Sequence, residues 1–410
     1  MKGKKILALA LSAVMLMSLM GLAMAETKAE KILIYVGKGE IVDDFKALTD
    51  LYKQETGVSV EMVSAAGEDG GALLRNYLTA DNSLTIFTTS PGANAKTFDA
   101  FIADMSDLPV VQEISKGALD AVTSEDGKLQ GIPFTVEGYG FVYNKDLVDP
   151  AKITDLASFT TYMEEAKAKG VDGLMLSAEN YFLIVHMLAL PFAMQDDPEA
   201  FTASVVNGEV QLRDVEAFQE WAKFYDVIRK NAVADPLTTS YDQATGAFAT
   251  GKTGLLHQGN WAFSMFADYD VTFEMGLMPV PILGNDRISA SVPGMWVVNP
   301  NATAEEQKAA KDFINWMYTS ETGKDYLYSK FQFIPLIDAD LEKYGENLDP
   351  LSTAVQKFIS DDKTVPFATA YFPSGIDVDL VAIAQGFFGD PNMTTDQLLD
   401  SITETFAEYN

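Results

Sequence analysis

Short apolar runs alternate with stretches of helical spacing along the first hundred residues of this chain, and that alternation leaves few folds open. Residues 32–36 (ILIYV) read as a strand, Gly37-Lys38-Gly39 as a turn, and Val42, Phe45, Leu48, Leu51 and Tyr52 as the apolar stripe of a helix. Thr56-Gly57 closes that helix, residues 58–63 alternate as a second strand, and residues 84–87 form a third before the turn at Pro91-Gly92. Strand followed by helix, repeated, predicts an α/β layer with a mostly parallel sheet. Two segments rich in glycine and proline, 131–140 and 279–294, interrupt the pattern. Long helical stretches follow at 156–169, 181–190, 215–230, 305–318 and 395–408. Two such interruptions predict two lobes that exchange the chain.

Composition narrows the chemistry. The 410 residues carry 59 Asp and Glu against 29 Lys and Arg, a formal charge of −30. So acidic a chain is a poor partner for nucleic acid or an anionic membrane. It contains no cysteine, which removes disulfides, thiolate nucleophiles, thiolate metal sites and lipid attachment through a cysteine. The two histidines, His186 and His257, lie in neither an HExxH nor an HxH pattern, and no GxSxG elbow, phosphate loop or EF-hand loop is present. No metal or cofactor is expected.

The N-terminus has the order of an export signal. Lys2, Lys4 and Lys5 precede an apolar run from Ile6 to about Met20, and Ala23-Met24-Ala25 supplies an A-x-A site. Residues 1–25 are therefore expected to be a signal peptide, with the mature chain beginning near Glu26. An uncleaved anchor is the alternative, since the run is about long enough to span a bilayer. An exported protein without a lipid anchor would diffuse away from a cell with a single membrane, so the expected compartment is a periplasm.

Three clusters carry the candidate chemistry. The loop Gly37-Lys38-Gly39-Glu40 follows the first strand, where open α/β sheets place ligands; it is equally the position of a solvated turn. Glu179-Asn180-Tyr181-Phe182 joins a carboxylate and an amide to two rings, a combination that suits sugar hydroxyls and sugar faces. It also reads as a helix start capped by Asn180. Gly259-Asn260-Trp261 presents a flat indole that could stack on a ligand or fill a lobe junction, with Trp296 and Tyr371-Phe372 supplying further rings. Trp221 and Trp316 sit at helical spacing among apolar neighbours and are expected in the core.

Several segments, in order, resemble one family: Glu55 to Val60 (ETGVSV), Gly131-Ile132-Pro133, Val142 to Leu147 (VYNKDL), Ala247 to Lys252 (AFATGK) with Gly259-Asn260-Trp261, and Trp296-Val297-Val298 ahead of AKDFINWMYTSE at 310–321. Over about residues 31–406 the chain is similar to extracellular solute-binding proteins of the carbohydrate ABC-transporter type, the maltose-binding protein family. The resemblance implies a periplasmic binding protein-like II fold, two α/β lobes joined by a multi-crossing hinge. It divides the chain into an N-lobe at 26–136 and 291–336 and a C-lobe at 137–290 and 337–410.

Function follows from the same resemblance. The chain is expected to capture a mono- or oligosaccharide between its lobes and deliver it to the permease subunits of an ABC importer, as a monomer and without catalysis. An exported glycoside hydrolase and a receptor for a non-sugar solute are the alternatives. Lys38 matches the family's basic ligand-loop residue, Glu137 the carboxylate at the first crossing, and Glu179 and Tyr181 the EPYF tetrad, with Asn180 replacing proline. Trp261 matches the tryptophan of GPW, with Asn260 replacing proline and Phe263 standing where a second tryptophan is found. Trp296 and Tyr371 complete the expected ligand-binding set. The family's acidic residue after the third strand falls among Thr88-Thr89-Ser90, uncharged here, so maltose is not implied.

Overall fold

The structure is a computed structural model that describes residues 29–64, 70–80 and 84–410. The expected signal sequence lies outside the described residues. Eleven strands among those described form two sheets. The first contains β1 (Lys31–Val36), β2 (Ser59–Ser64), β3 (Ile86–Thr89), β4 (Ile132–Pro133) and β10 (Met295–Val298), in the order β2-β1-β3-β10-β4. β1 runs parallel to β2 and β3, and the returning β10 runs antiparallel to β3 and β4. Ile34, Tyr35 and Val36 are all buried, as a strand covered on both faces requires. The helix Val42–Thr56 turns Phe45, Leu48, Thr49 and Tyr52 inward, the i, i+3, i+4, i+7 stripe that packs a helix on a sheet.

The second sheet has the order β11-β9-β5-β7-β6, with β8 also paired to β5. It comprises β5 (Glu137–Asn144), β6 (Asp172–Met175), β7 (Thr253–Gly259), β8 (Met275–Met278), β9 (Ile288–Ser291) and β11 (Thr364–Val365). This sheet is built differently from the mostly parallel layer that the first hundred residues predict. β5 is antiparallel to β7, β8 and β9, and only β6 on β7 and β11 on β9 are parallel. Strands that enter through a hinge need not be joined by right-handed helical crossovers, which is what makes neighbouring strands parallel.

Each sheet has its own core. The first gathers Phe45, Phe87, Trp296, Phe313 and Tyr318; the second gathers Phe141, Phe159, Trp221, Phe224 and Tyr225. Trp221 is fully buried as expected, whereas Trp316 lies at the edge of the first core with its indole N–H donating to Glu55 Oε2 at 2.9 Å. The chain passes between sheets from β4 to β5 and back from β9 to β10. Thr135 ties the first passage to a later one, donating to the Ile334 carbonyl at 3.2 Å and accepting from its N–H at 2.8 Å. The last passage comes later than the expected boundary at 336/337. Helix Asp338–Tyr344 still belongs to the first core: Ile337 and Tyr344 pack there, and Asp340 meets Lys324 at 2.7 Å and the Tyr328 hydroxyl at 3.0 Å. No helix of the described residues is long and apolar enough to cross a membrane.

Candidate functional site

The site lies where the first passage enters the second sheet. Lys38, in the turn after β1, extends to Glu137 at the start of β5, and Nζ meets Oε1 at 2.6 Å. Glu40 Oε2 lies 3.7 Å from the same ammonium. The first lobe thus reaches the second through one cation held between two carboxylates. Burial works to lower the Lys38 pKa, but the charges of Glu137 and Glu40 outweigh it and raise it. Burial raises the Glu137 carboxyl above its ordinary range, with Lys38 opposing in part. Asn260 fixes the same corner: Oδ1 accepts from Gly138 N–H at 2.9 Å and Nδ2 donates to Ser352 Oγ at 3.1 Å.

Next to this pair the second lobe presents a group of rings. Residues Tyr181–Val185 form a π-helical turn before the helix His186–Ala193, the kind of widened turn often found at functional sites. It carries Tyr181, 40% exposed, and Phe182, whose ring lies 4.7 Å from Tyr241 and 6.4 Å from Trp261. Trp261 is half-buried in the turn Asn260–Asp268 after β7, with its indole N–H donating to Gln258 Oε1 at 2.7 Å. A Cβ on Gly259 would lie 2.2 Å from the Trp261 ring, so only glycine lets the indole fold back over its own strand. His186 sits within this group, its ring 5.6 Å from Trp261, 5.3 Å from Tyr181 and stacked at 4.1 Å on Tyr139.

Sequence reasoning placed some residues better than others. Lys38, Glu137, Tyr181 and Trp261 converge. Glu179 is exposed beside them, and Oε1 accepts the Tyr241 N–H at 2.8 Å at the start of helix Tyr241–Ala249. Asn180 offers no side-chain cap; its amide donates to Asp377 Oδ2 at 3.0 Å. Trp296 is a correction. It is fully buried in the first core, 5.4 Å from Phe45 and 4.5 Å from Phe134, and has no surface to offer a ligand. Tyr371 is half-buried with Glu199 and Asp197 near its hydroxyl, in the turn Ala368–Tyr371 that packs against helix Ala93–Thr97 of the first lobe. Among the described residues it joins no ring contact; Phe367, four positions earlier, packs on Tyr139 at 5.0 Å.

Three residues of the site were not singled out. Glu40 was visible in the Gly-Lys-Gly-Glu loop. Tyr241 follows Ser240, whose hydroxyl and Gln243 form a capping box, so an aromatic at a capped helix start was the available signal. His186 gave none. Across the gap the lobes also touch where Ser374 Oγ donates to Asn94 Oδ1 at 3.0 Å, and where the turn Gly39–Ile41 lies against Asn260–Asp268. Among the described residues no three of His, Asp or Glu gather to hold a metal ion.

Two α/β lobes joined by repeated passages, with Lys38 of one paired to Glu137 of the other, have the periplasmic binding protein-like II fold. The chain belongs to the bacterial extracellular solute-binding proteins, whose family pattern matches residues 41–339. Members of that family bind solutes rather than transform them. A curated relative, a maltooligosaccharide ABC transporter solute-binding lipoprotein of Streptococcus pneumoniae, is 25% identical over 360 residues, which cover 83% of this chain and 80% of the relative. Among solved structures, the solute-binding protein RafE in complex with raffinose superposes with a TM-score of 0.76 at 16% identity, over 92% of this chain and 99% of that one. A sugar transporter protein of Bacillus licheniformis in complex with stachyose gives 0.74 at 16% identity, over 93% and 100%.

Proposed function

We propose that this protein is the receptor of an ABC-type sugar importer, closing its lobes over a mono- or oligosaccharide and presenting it to membrane permease subunits. The observation that carries the reading is that the Lys38, Glu40 and Glu137 cluster lies against the turn that carries Trp261, beside a group of rings that includes Tyr181 and Tyr241. Rings cover the C–H faces of a pyranose, each stacking contributing ~0.5–1.5 kcal/mol beyond area burial. Carboxylates and an ammonium bond its hydroxyls. The maltooligosaccharide, raffinose and stachyose named for the relatives supply the first ligands to try. Capture then follows from hinge closure, which brings groups of both lobes onto one guest.

The protein is exported, and we infer cleavage after Ala25, release into a periplasm and function as a monomer. The curated relative is a lipoprotein, but this sequence has no cysteine to carry a lipid. The intact mass of protein recovered from the exported fraction checks the cleavage. For binding, thermal unfolding is followed with raffinose, stachyose and maltotetraose. A ligand at 100 times its dissociation constant stabilises the folded state by about 2.7 kcal/mol. A melting temperature unmoved by every sugar sinks the reading.

A further inference from the structure

Buried polar atoms almost always find partners, because each one left unpaired costs about 1–3 kcal/mol. Among the described residues three that do not are grouped in the second lobe around the ring cluster: Ser177 Oγ, His186 Nδ1 and His257 Nε2. Ser177 follows β6, which pairs with β7, the strand that carries His257 and leads to Trp261. The rings of Tyr241, His186 and Trp261 are linked through Phe182. These atoms lie beneath rings that border the interlobe gap, and of the residues that carry them His186 retains the most surface there.

The two histidines differ in what they can do. His257 is 1% exposed, and its Nδ1 lies 3.1 Å from the Gly140 carbonyl. A carbonyl only accepts, so Nδ1 carries the proton and Nε2 is left as an acceptor facing no donor. His186 retains 9% of its surface and lies nearer the gap, between Tyr139 beneath it and Tyr181 and Trp261 beside it. Its ring centre is 5.7 Å from that of His257. Apolar surroundings of this kind favour neutral imidazoles, which offer one donor and one acceptor each. A hydroxyl group matches that pair of demands because it both donates and accepts; a carboxylate only accepts and an ammonium only donates.

We propose that His186 is a specificity-determining residue of the ligand site, exchanging a hydrogen bond with a sugar hydroxyl that enters between Tyr181 and Trp261. The proposal rests on the sugar reading for the class of ligand and on the geometry for the residue. His257 stands behind it as a fixed wall, tied to β5 through Gly140. The expected consequence is selection at one ring position: a sugar with a free hydroxyl there binds, and its deoxy or O-methyl analogue does not.

With two histidines in the chain, a protein free of any histidine tag gives a clean chemical test. Diethyl pyrocarbonate acylates accessible neutral imidazoles, and the two histidine peptides are separated by mass spectrometry. In the folded, ligand-free protein His186 is expected to react and His257 to be spared. Whichever of raffinose, stachyose and maltotetraose stabilises the protein most should protect His186. Calorimetric titration with that sugar is then expected to weaken about tenfold for His186→Leu and recover most of it for His186→Gln, which restores a donor and an acceptor. A protein that binds sugar while His186 stays unreactive, or that tolerates leucine and glutamine equally, overturns the role of His186 and leaves the sugar reading standing. A protein that binds no sugar in the panel overturns the sugar reading and with it the assigned ligand class, whatever the labelling shows.

Discussion

The two lobes spend their aromatic residues differently. In the first, the rings turn inward: Trp296 lies between Phe45 and Phe134, and Phe331 and Phe333 extend the stack. What that lobe shows to the gap is Lys38, Glu40 and Asn94. The second lobe has an equally aromatic core and, in addition, leaves Tyr181, Phe182, Tyr241 and Trp261 at its edge. The first lobe therefore supplies charged and polar tips, and the second supplies flat apolar faces beside the carboxylates of Glu137 and Glu179. A solute must satisfy both at once, and a bare hydrocarbon or a simple ion cannot. The contrast also teaches that a tryptophan after a glycine-rich segment carries no fixed meaning.

The contrast is broken most directly by truncating one tryptophan in each lobe. Trp296→Ala is expected to cost ~3–5 kcal/mol of stability, as removal of a large buried aromatic does. Trp261→Ala should cost about 1–2 kcal/mol of stability while weakening sugar binding about tenfold, roughly the worth of one stack. Urea unfolding and calorimetric titration of both variants read the two quantities. Equal losses of stability would erase the distinction between lobes.

Acid should act through the second lobe, which holds both histidines. Burial pulls the His257 pKa down to about 4, with the Gly140 carbonyl opposing, and His186 is lowered by burial as well. Unfolded histidine titrates near 6.5, so between about pH 6.5 and 4 the unfolded chain binds more protons and folding stability falls as pH falls. His257 alone accounts for about 3 kcal/mol over that window. Glu137, whose pKa is raised by burial, acts in the opposite sense, destabilising at high pH and relieved by protonation. Comparing the pH dependence of unfolding in wild type and His257→Phe isolates the histidine; identical slopes would place the acid response elsewhere.

The smallest expected effect sharpens the boundary between lobes. Gly92 has φ +77°, and a Cβ there would lie 2.3 Å from the Ala370 carbonyl oxygen of the opposite lobe. Gly127 has φ +86° with open space around it. Both alanine substitutions carry the strain of a positive φ, and Gly92, with ψ −136°, holds a backbone that almost only glycine adopts. Only Gly92→Ala should also wedge the lobes and weaken sugar binding, by a few-fold. Indistinguishable affinities for the two variants would show that this contact does not limit closure.

Much of the frame was legible before any coordinates. The strand 31–36, the helix beginning at Val42 and the helices starting near 156, 216 and 304 follow from periodicity and capping, which act between near neighbours. The Gly/Pro segments marked where the chain changes lobes because those residues interrupt both kinds of periodicity. The sequence alone also determined the acidic charge, the absence of thiol chemistry and the loop that carries Lys38. Tertiary structure decided which rings meet a ligand. Trp296 pairs with Thr88 and Ile132 in the middle of a sheet, under the helix Val42–Thr56, whereas Trp261 lies just past the end of β7. It likewise brought His186 to Trp261 and Lys38 to Glu137, which lie 75 and 99 positions apart in the chain. Local spacing cannot encode such meetings, because burial and long-range contact depend on which surfaces the whole chain packs together.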